Sequence, residues 1–306
     1  MGRAAGHDGR PGRVDHGTWA GTAAREFRMV KPGAMSDETE GVRDHYRAGG
    51  LRRRLQAALA GIAPAGQPLT PERLRAIDQF HVRGLAATAD LAALAVPARD
   101  DSVLDIGSGV GGPARWLAAN FGCRVTGVDL SEDFVDAARY LSELTGQQDR
   151  VSFHCGSALD LPFDDAGFDL VLLQNVAMNI AERPRLYEQV RRVLRRGGRF
   201  ATFDVVRASG SPHYPLPWAR GPQGSFLLDA QSTGAAIEAA GLRTLEWRDD
   251  TPAAVAWALQ VLGAGTPASP GLALVMGPDF PLLAANLARS LVEGRLGVWM
   301  AVFDAV

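Results

Sequence analysis

The 306-residue chain carries a formal net charge of -2, with 46% hydrophobic and 22% charged residues, the balance of an ordinary globular protein. It offers no net basic surface for displacing the counterions of nucleic acid, and no apolar run reaches the ~20 residues a membrane-spanning helix needs. The N-terminus lacks the apolar core of a secretory signal, and the two cysteines, Cys123 and Cys155, have no metal-ligand spacing, so a cytoplasmic protein without a metal is expected.

Residues 1–36 are rich in Gly and Arg and lack periodicity, which reads as a disordered leader, with Met35 ahead of Ser36-Asp37-Glu38 as an alternative start. Residues 37–98 turn helical. Leu51, Leu55, Leu59 and Ile62 recur at helical intervals, the stretch from Pro64 to Pro68 interrupts them, and Thr70-Pro71-Glu72 restarts a helix with a cap, a proline and an acid. Val96-Pro97-Ala98 closes this segment, which is expected to form a helical lid.

From residue 99 strand and helix patterns alternate, as a parallel sheet demands. Strands are predicted at Ser102–Ile106, Arg124–Val128, Val151–His154, Phe168–Leu173 and Arg199–Val206. Helices are predicted at Pro113–Phe121, after a Ser131 cap, and at Arg185–Leu194, the last closed by Gly197-Gly198. Beyond them come a proline-rich loop, a helix at Thr233–Ala240, a strand at Leu242–Trp247, a helix at Pro252–Leu262, a helix from Pro281 and a strand near Gly297–Val302. The expected fold is thus α/β, a doubly wound, mostly parallel seven-stranded sheet, with pocket-building insertions at about 207–232 and 251–293.

The chemistry concentrates in Asp105-Ile106-Gly107-Ser108-Gly109-Val110-Gly111-Gly112, where a strand enters a glycine-rich turn and then a helix. Gly107, Gly109 and Gly112 with Asp129 also satisfy a dinucleotide pattern, which leaves a nicotinamide oxidoreductase open. Against it, Asp105 puts a carboxylate in a strand that would otherwise stay apolar, a cost that calls for a partner such as a ligand ammonium. Further segments follow in order: Gly127-Val128-Asp129-Leu130-Ser131, Gly156-Ser157-Ala158-Leu159-Asp160-Leu161-Pro162-Phe163, Phe168-Asp169-Leu170-Val171 and Leu194-Arg195-Arg196-Gly197-Gly198-Arg199-Phe200.

Taken together, residues 101–206 resemble the class I S-adenosylmethionine-dependent methyltransferases. The resemblance implies that Asp105, Gly107, Ser108, Gly109 and Gly111 surround the methionine end of S-adenosylmethionine, that Asp129 accepts from the ribose hydroxyls and that Leu130 packs on adenine. Ser157 and Ala158 would lie at the adenine edge, and Gln174 or Asn175 would cover the ligand. Ser157 departs from the family, which usually has Asp there; Asp160 is the candidate to compensate. A binding module that holds the cofactor without turnover is the third class to weigh.

Upstream Asp78-Gln79-Phe80-His81 and downstream Pro212-His213-Tyr214-Pro215-Leu216-Pro217-Trp218 resemble the sarcosine/dimethylglycine-type small-molecule subgroup. A small-molecule acceptor is therefore expected, an amine nitrogen first, and a carbon or oxygen of a natural-product or quinone-like acceptor second. His81 is the candidate for substrate contact or base, its alternative role being to pin the leader helix. Tyr46, Tyr214 and Trp218 are candidate aromatic faces, and Asn175 and Asn179 are expected near the acceptor. Met178, His154 and His213 are read as packing, structural and solvent-facing residues.

Overall fold

The computed structural model describes Gly41 and residues 50–62, 69–263 and 270–306. The readings made for residues 1–36, for Tyr46 and for Pro64–Pro68 lie outside the described residues.

Seven strands form one sheet: β1 (Ser102–Ile106), β2 (Arg124–Asp129), β3 (Val151–Cys155), β4 (Phe168–Gln174), β5 (Leu194–Arg207), β6 (Leu242–Asp249) and β7 (Leu296–Ala305). Their spatial order is β3-β2-β1-β4-β5-β7-β6; β7 runs antiparallel between β5 and β6, and the first five are parallel. This bears out the doubly wound expectation, while the antiparallel β7 departs from the all-parallel 3-2-1-4-5-6 order of the dinucleotide fold.

Strand β4 shows why the sheet is central. Leu170 and Leu172 point into one apolar cluster and Val171 and Leu173 into the other, each wholly buried. The two-residue period of a strand thus feeds both layers, at about 1.5–3 kcal/mol for each side chain removed from water. Helices α3 (Leu85–Ala95), α4 (Gly112–Phe121), α8 (Thr251–Gly263) and α10 (Phe280–Val292) supply residues to one cluster. Helices α6 (Arg183–Val193) and α7 (Ala230–Ala239) cover the other face. Helix α5 (Glu132–Leu144) is capped by the Ser131 hydroxyl, which accepts from the Phe134 N–H at 3.4 Å.

A third apolar cluster stands apart from the sheet. Leu51 and Leu55 of α1 (Leu51–Ile62), with Leu59, meet Leu74 and Ile77 of α2 (Pro71–Asp78), Phe134 and Leu141 of α5, and Val275 of α9 (Pro270–Met276). Helix α9 seats closely on α2: a Cβ on Gly271 would lie 2.4 Å from Ile77 Cγ2 and 2.6 Å from the Ala76 carbonyl oxygen. Helices that precede β1 in sequence, α1 and α2, are therefore packed together with α9, which follows β6.

Several local expectations need correcting. The helix α6 stops at Val193, and Gly197-Gly198 do not close it; they lie inside the strand run of β5, Gly197 turning with φ +73. Thr70 holds the extended N-cap conformation with Pro71 after it, but its side chain makes no capping bond. Helix α9 was not among the predicted elements, although Pro270 opens it and Gly277 follows it with φ +95.

Candidate active site

Strand β1 brings Asp105 opposite Gly127 of β2 and Leu172 of β4 and then ends in the glycine turn. There Gly107 and Gly109 have φ of +70 and +54, and an added Cβ would lie 2.3 Å from Val176 Cγ2 and 2.5 Å from Phe80 Cζ. Only glycine satisfies both the backbone and the space. The N–H groups of Gly107 and Ser108 both donate to the Val128 carbonyl, at 2.8 and 3.1 Å, tying the turn to the end of β2. Asp129 completes the tie, its Oδ2 accepting from Gly109 N at 2.8 Å and its Oδ1 from Ser131 N at 2.9 Å.

Asp105, Ser108 and Gln174 are buried, and Asp105 Oδ2, Ser108 Oγ, Gln174 Nε2 and Asn175 Oδ1 have no hydrogen-bond partner within the chain. Loss of hydration, and then the neighbouring Asp129 carboxylate, push the Asp105 carboxyl up to about 7. Burial also raises the Asp129 carboxyl, opposed by the N–H groups of Ser131, Gly109 and Leu130. Unpaired buried polar atoms are expensive, so four of them around one space call for a polar ligand.

That space is a cleft of about 1420 Å³, its open mouth included. Asp105, Gly107, Ser108, Gly109, Asp129 and Leu130 line it from the β1 and β2 ends, and Ser157 and Ala158 line it after β3. Gln174 and Asn175 line it after β4, and His81 and Trp218 enter from the flanking segments. Asn179 and Met178 line it too, presented by a short turn that is held when Asp204 Oδ2 accepts from Ala177 N at 3.0 Å. Asn175 has a backbone φ of +53, a conformation uncommon outside glycine, and its N–H donates to the Phe203 carbonyl.

Gly111 and Tyr214 lie outside the lining of the cleft. Gly111 turns the chain into α4 with φ +79, where a Cβ would strike the Phe153 ring at 2.4 Å; Tyr214 packs against the main apolar cluster. Asp160 is exposed and outside the cleft, so it cannot stand in for a carboxylate at the Ser157 position; the Ser157 hydroxyl itself accepts from Leu159 N at 3.1 Å. His213 pairs with Glu293 at 2.7 Å instead of facing solvent alone, and His154 sits edge-on to Phe163.

His81 Nε2 is 3.1 Å from the Thr88 hydroxyl, which also donates toward Gln174 Oε1 at 3.2 Å. Burial holds the imidazole at about 4, so it is uncharged at neutral pH. Both the contact role and the pinning role expected of His81 have support here: it lines the cleft and is tied to α3.

Sequence reading missed Asp78, Phe80, Phe134, Glu182, Met276 and Leu287, which also line the cleft. Asp78 and Phe80 sit inside a motif that had been singled out; Met276 left no signal, because an apolar residue in a seven-residue helix marks no chemistry. Asp78 Oδ2 accepts from Arg115 Nη2 at 3.0 Å in a pair with side-chain exposures of 1% and 0%, which fastens α2 to α4. Burial drives both toward their neutral forms, and their mutual attraction opposes it.

A methyltransferase-domain family matches residues 104–202. Over 206 residues the chain is 30% identical to the methyltransferase GfsG of Streptomyces halstedii, covering 66% of this chain and 69% of that protein. The chain belongs to the class I S-adenosylmethionine-dependent methyltransferases. It is also 36% identical to sarcosine/dimethylglycine N-methyltransferase of Halorhodospira halochloris, over 37% of this chain and only 40% of that protein. Among solved structures, the geranyl diphosphate C-methyltransferase of Streptomyces coelicolor A3(2) shares the fold, with a TM-score of 0.66 at 20% identity over 90% of this chain and all of that one.

The residues of this methyltransferase fit its cofactor. Asp105 Oδ2 is a free acceptor for an ammonium, and each Asp129 oxygen keeps a lone pair for a ribose hydroxyl after its backbone bond. Leu130 and Ala158 offer apolar faces to a purine, and the glycine turn leaves room where side chains would stand. Its acceptor is a small molecule, and the nicotinamide alternative falls with the sheet order and the relatives. No described helix is long and apolar enough to cross a membrane.

Proposed function

We propose that this methyltransferase methylates an amine nitrogen. The observation that carries the reading is Trp218: its indole is buried at 4% exposure, lines the cleft, and is fixed by donation from Nε1 to Ser225 Oγ at 2.9 Å. A rigid aromatic face attracts a substituted ammonium by ~0.5–2 kcal/mol, more when water is excluded. When bound, S-adenosylmethionine supplies a methyl group on a sulfonium sulfur that departs with the bonding pair. The chain's own task is then alignment and dehydration, because the leaving group needs no proton.

His81 supports an amine in a particular way. Uncharged at neutral pH and hydrogen-bonded to the Thr88 hydroxyl, it lines the cleft without repelling a cationic acceptor. Its low basicity makes it a positioning residue, with the amine's proton released to water at the mouth of the cleft. A carbon acceptor is the second reading, favoured by the apolar Met178 and Ile180 beside the same turn.

The test is transfer of a labelled methyl group from S-adenosylmethionine to a panel of primary and secondary amines, with the products located by mass spectrometry. Label on nitrogen supports the reading, and label appearing only on carbon or oxygen across a matched panel replaces it. His81→Ala should lower turnover by ~10-fold or more while S-adenosylhomocysteine affinity stays within about twofold.

A further inference from the structure

Resting on that amine reading, we infer that the acceptor has a sizeable apolar body and no acidic group: a hydrophobic amine, as opposed to an amino acid or a phosphate ester. The cleft runs on past the cofactor residues to Val82, Trp218, Met276 and Leu287 of the flanking segments. Away from the cofactor residues its wall is largely apolar, formed by Val82, Met178, Ile180, Trp218, Met276 and Leu287, with His81, Asn179 and Glu182 the polar members. These come from five separate places in the chain, so the character belongs to the whole wall and not to one helix face.

The charge of the lining points the same way. Its ionisable residues, among those described, are Asp78, Asp105, Asp129, Glu182 and the neutral His81. The two buried guanidinium groups near it are already engaged. Arg115 pairs with Asp78, and Arg183 donates to the carbonyls of Ile180 and Phe226 at 2.9 and 3.0 Å. A carboxylate or phosphate on the acceptor would lose its water against this wall and meet no free cationic side chain among the described lining residues. An ammonium on an apolar stem meets better conditions: the stem loses water against Met276 and Leu287, and the head meets the Trp218 indole.

This separates the chain from its N-methyltransferase relative, whose named substrates carry a carboxylate. It also sets it apart from the structural neighbour that acts on a diphosphate.

The experiment is calorimetric titration of the full chain, saturated with S-adenosylhomocysteine, with butylamine, hexylamine, octylamine, ω-aminooctanoate and sarcosine. Affinity should rise about three- to fourfold for each added methylene. Octylamine should bind at least ~10-fold more tightly than ω-aminooctanoate, and sarcosine should bind more weakly than hexylamine. Affinity independent of chain length, or ω-aminooctanoate matching octylamine, overturns the inference. Met276→Arg should bring the octylamine and ω-aminooctanoate affinities to within about threefold; an unchanged ratio takes the α9 wall out of the acceptor site and overturns it as well. Failure of the amine reading is visible separately, as octylamine that binds with the expected preference yet is never methylated.

Discussion

The two halves of the cleft are built in different ways. The cofactor half uses neighbouring strand ends, with Asp105, the glycine turn, Asp129 and Ser157 contributed by one continuous run of the sheet's first three strands. The acceptor half is gathered from His81 and Val82, from the turn after β4, from Trp218, and from Met276 and Leu287. One half is held by backbone hydrogen bonds to fixed strand ends. The other is held mainly by side-chain packing, with Val82, Met178, Trp218 and Leu287 in the main apolar cluster and α2 fastened by one buried ion pair. A half of the first kind writes its chemistry into short motifs, whereas a half of the second kind writes only hydrophobicity.

That contrast can be broken or sharpened by substitution. The largest effect is expected from Asp129→Ala, which removes the acceptor of two backbone N–H groups and of the ribose hydroxyls. S-adenosylhomocysteine affinity should fall by ~10²-fold or more, since hydrogen bonds to a charged group contribute about 1.5–3 kcal/mol each. Calorimetry that found affinity unchanged would remove Asp129 from the cofactor half. Next comes Arg115→Met, which strands Asp78 at the joint between the halves. Urea unfolding should show a loss of about 3–5 kcal/mol, the usual cost of leaving one member of a buried pair. Because burial alone then raises the Asp78 carboxyl, the deficit should shrink as pH falls; a deficit constant with pH would mean that Asp78 had regained water.

A smaller effect follows from pH. An ammonium partner favours ionised Asp105, whose carboxyl stands at about 7 without one. Cofactor affinity should therefore rise about tenfold between pH 6 and pH 8, with proton release on binding, and Asp105→Asn should flatten the profile. The sign for folding is the reverse: the folded chain without ligand holds this proton more tightly than the unfolded one, so the cost of Asp105 grows as pH climbs from about 4 toward 7. The smallest change is expected from Ser157→Asp, which supplies a charged acceptor at the adenine edge and should tighten S-adenosylhomocysteine by only a few-fold. No gain would place the adenine amino group elsewhere.

The same contrast explains what could be read in the sequence. Alternating apolar strands and capped helices made the sheet legible, because β4 needs hydrophobic residues on both faces and Ser131 needs a nearby N–H. Asp105 was legible as a misplaced carboxylate, and the structure leaves its outer oxygen unpaired. Gly111 was assigned to the ligand because local pattern cannot tell a glycine that makes room for a cofactor from one that makes room for Phe153. Tyr214 and Trp218 look alike in sequence, but only the indole reaches the cleft. Helix α9 was passed over: Pro270 at its start and Gly277 after it are helix punctuation, but seven residues are too few to show a period, and its seating on α2 is not a local feature.

The seating of Gly271 on α2 has a consequence for synthesis. A ribosome delivers the cofactor strands well before it delivers Met276, so a nascent chain that has completed β4 still lacks one wall of its acceptor site. Until α9 emerges, the surface of α2 that it will cover stays open to solvent or to chaperones. Translation order alone keeps the acceptor site incomplete until α9 has emerged.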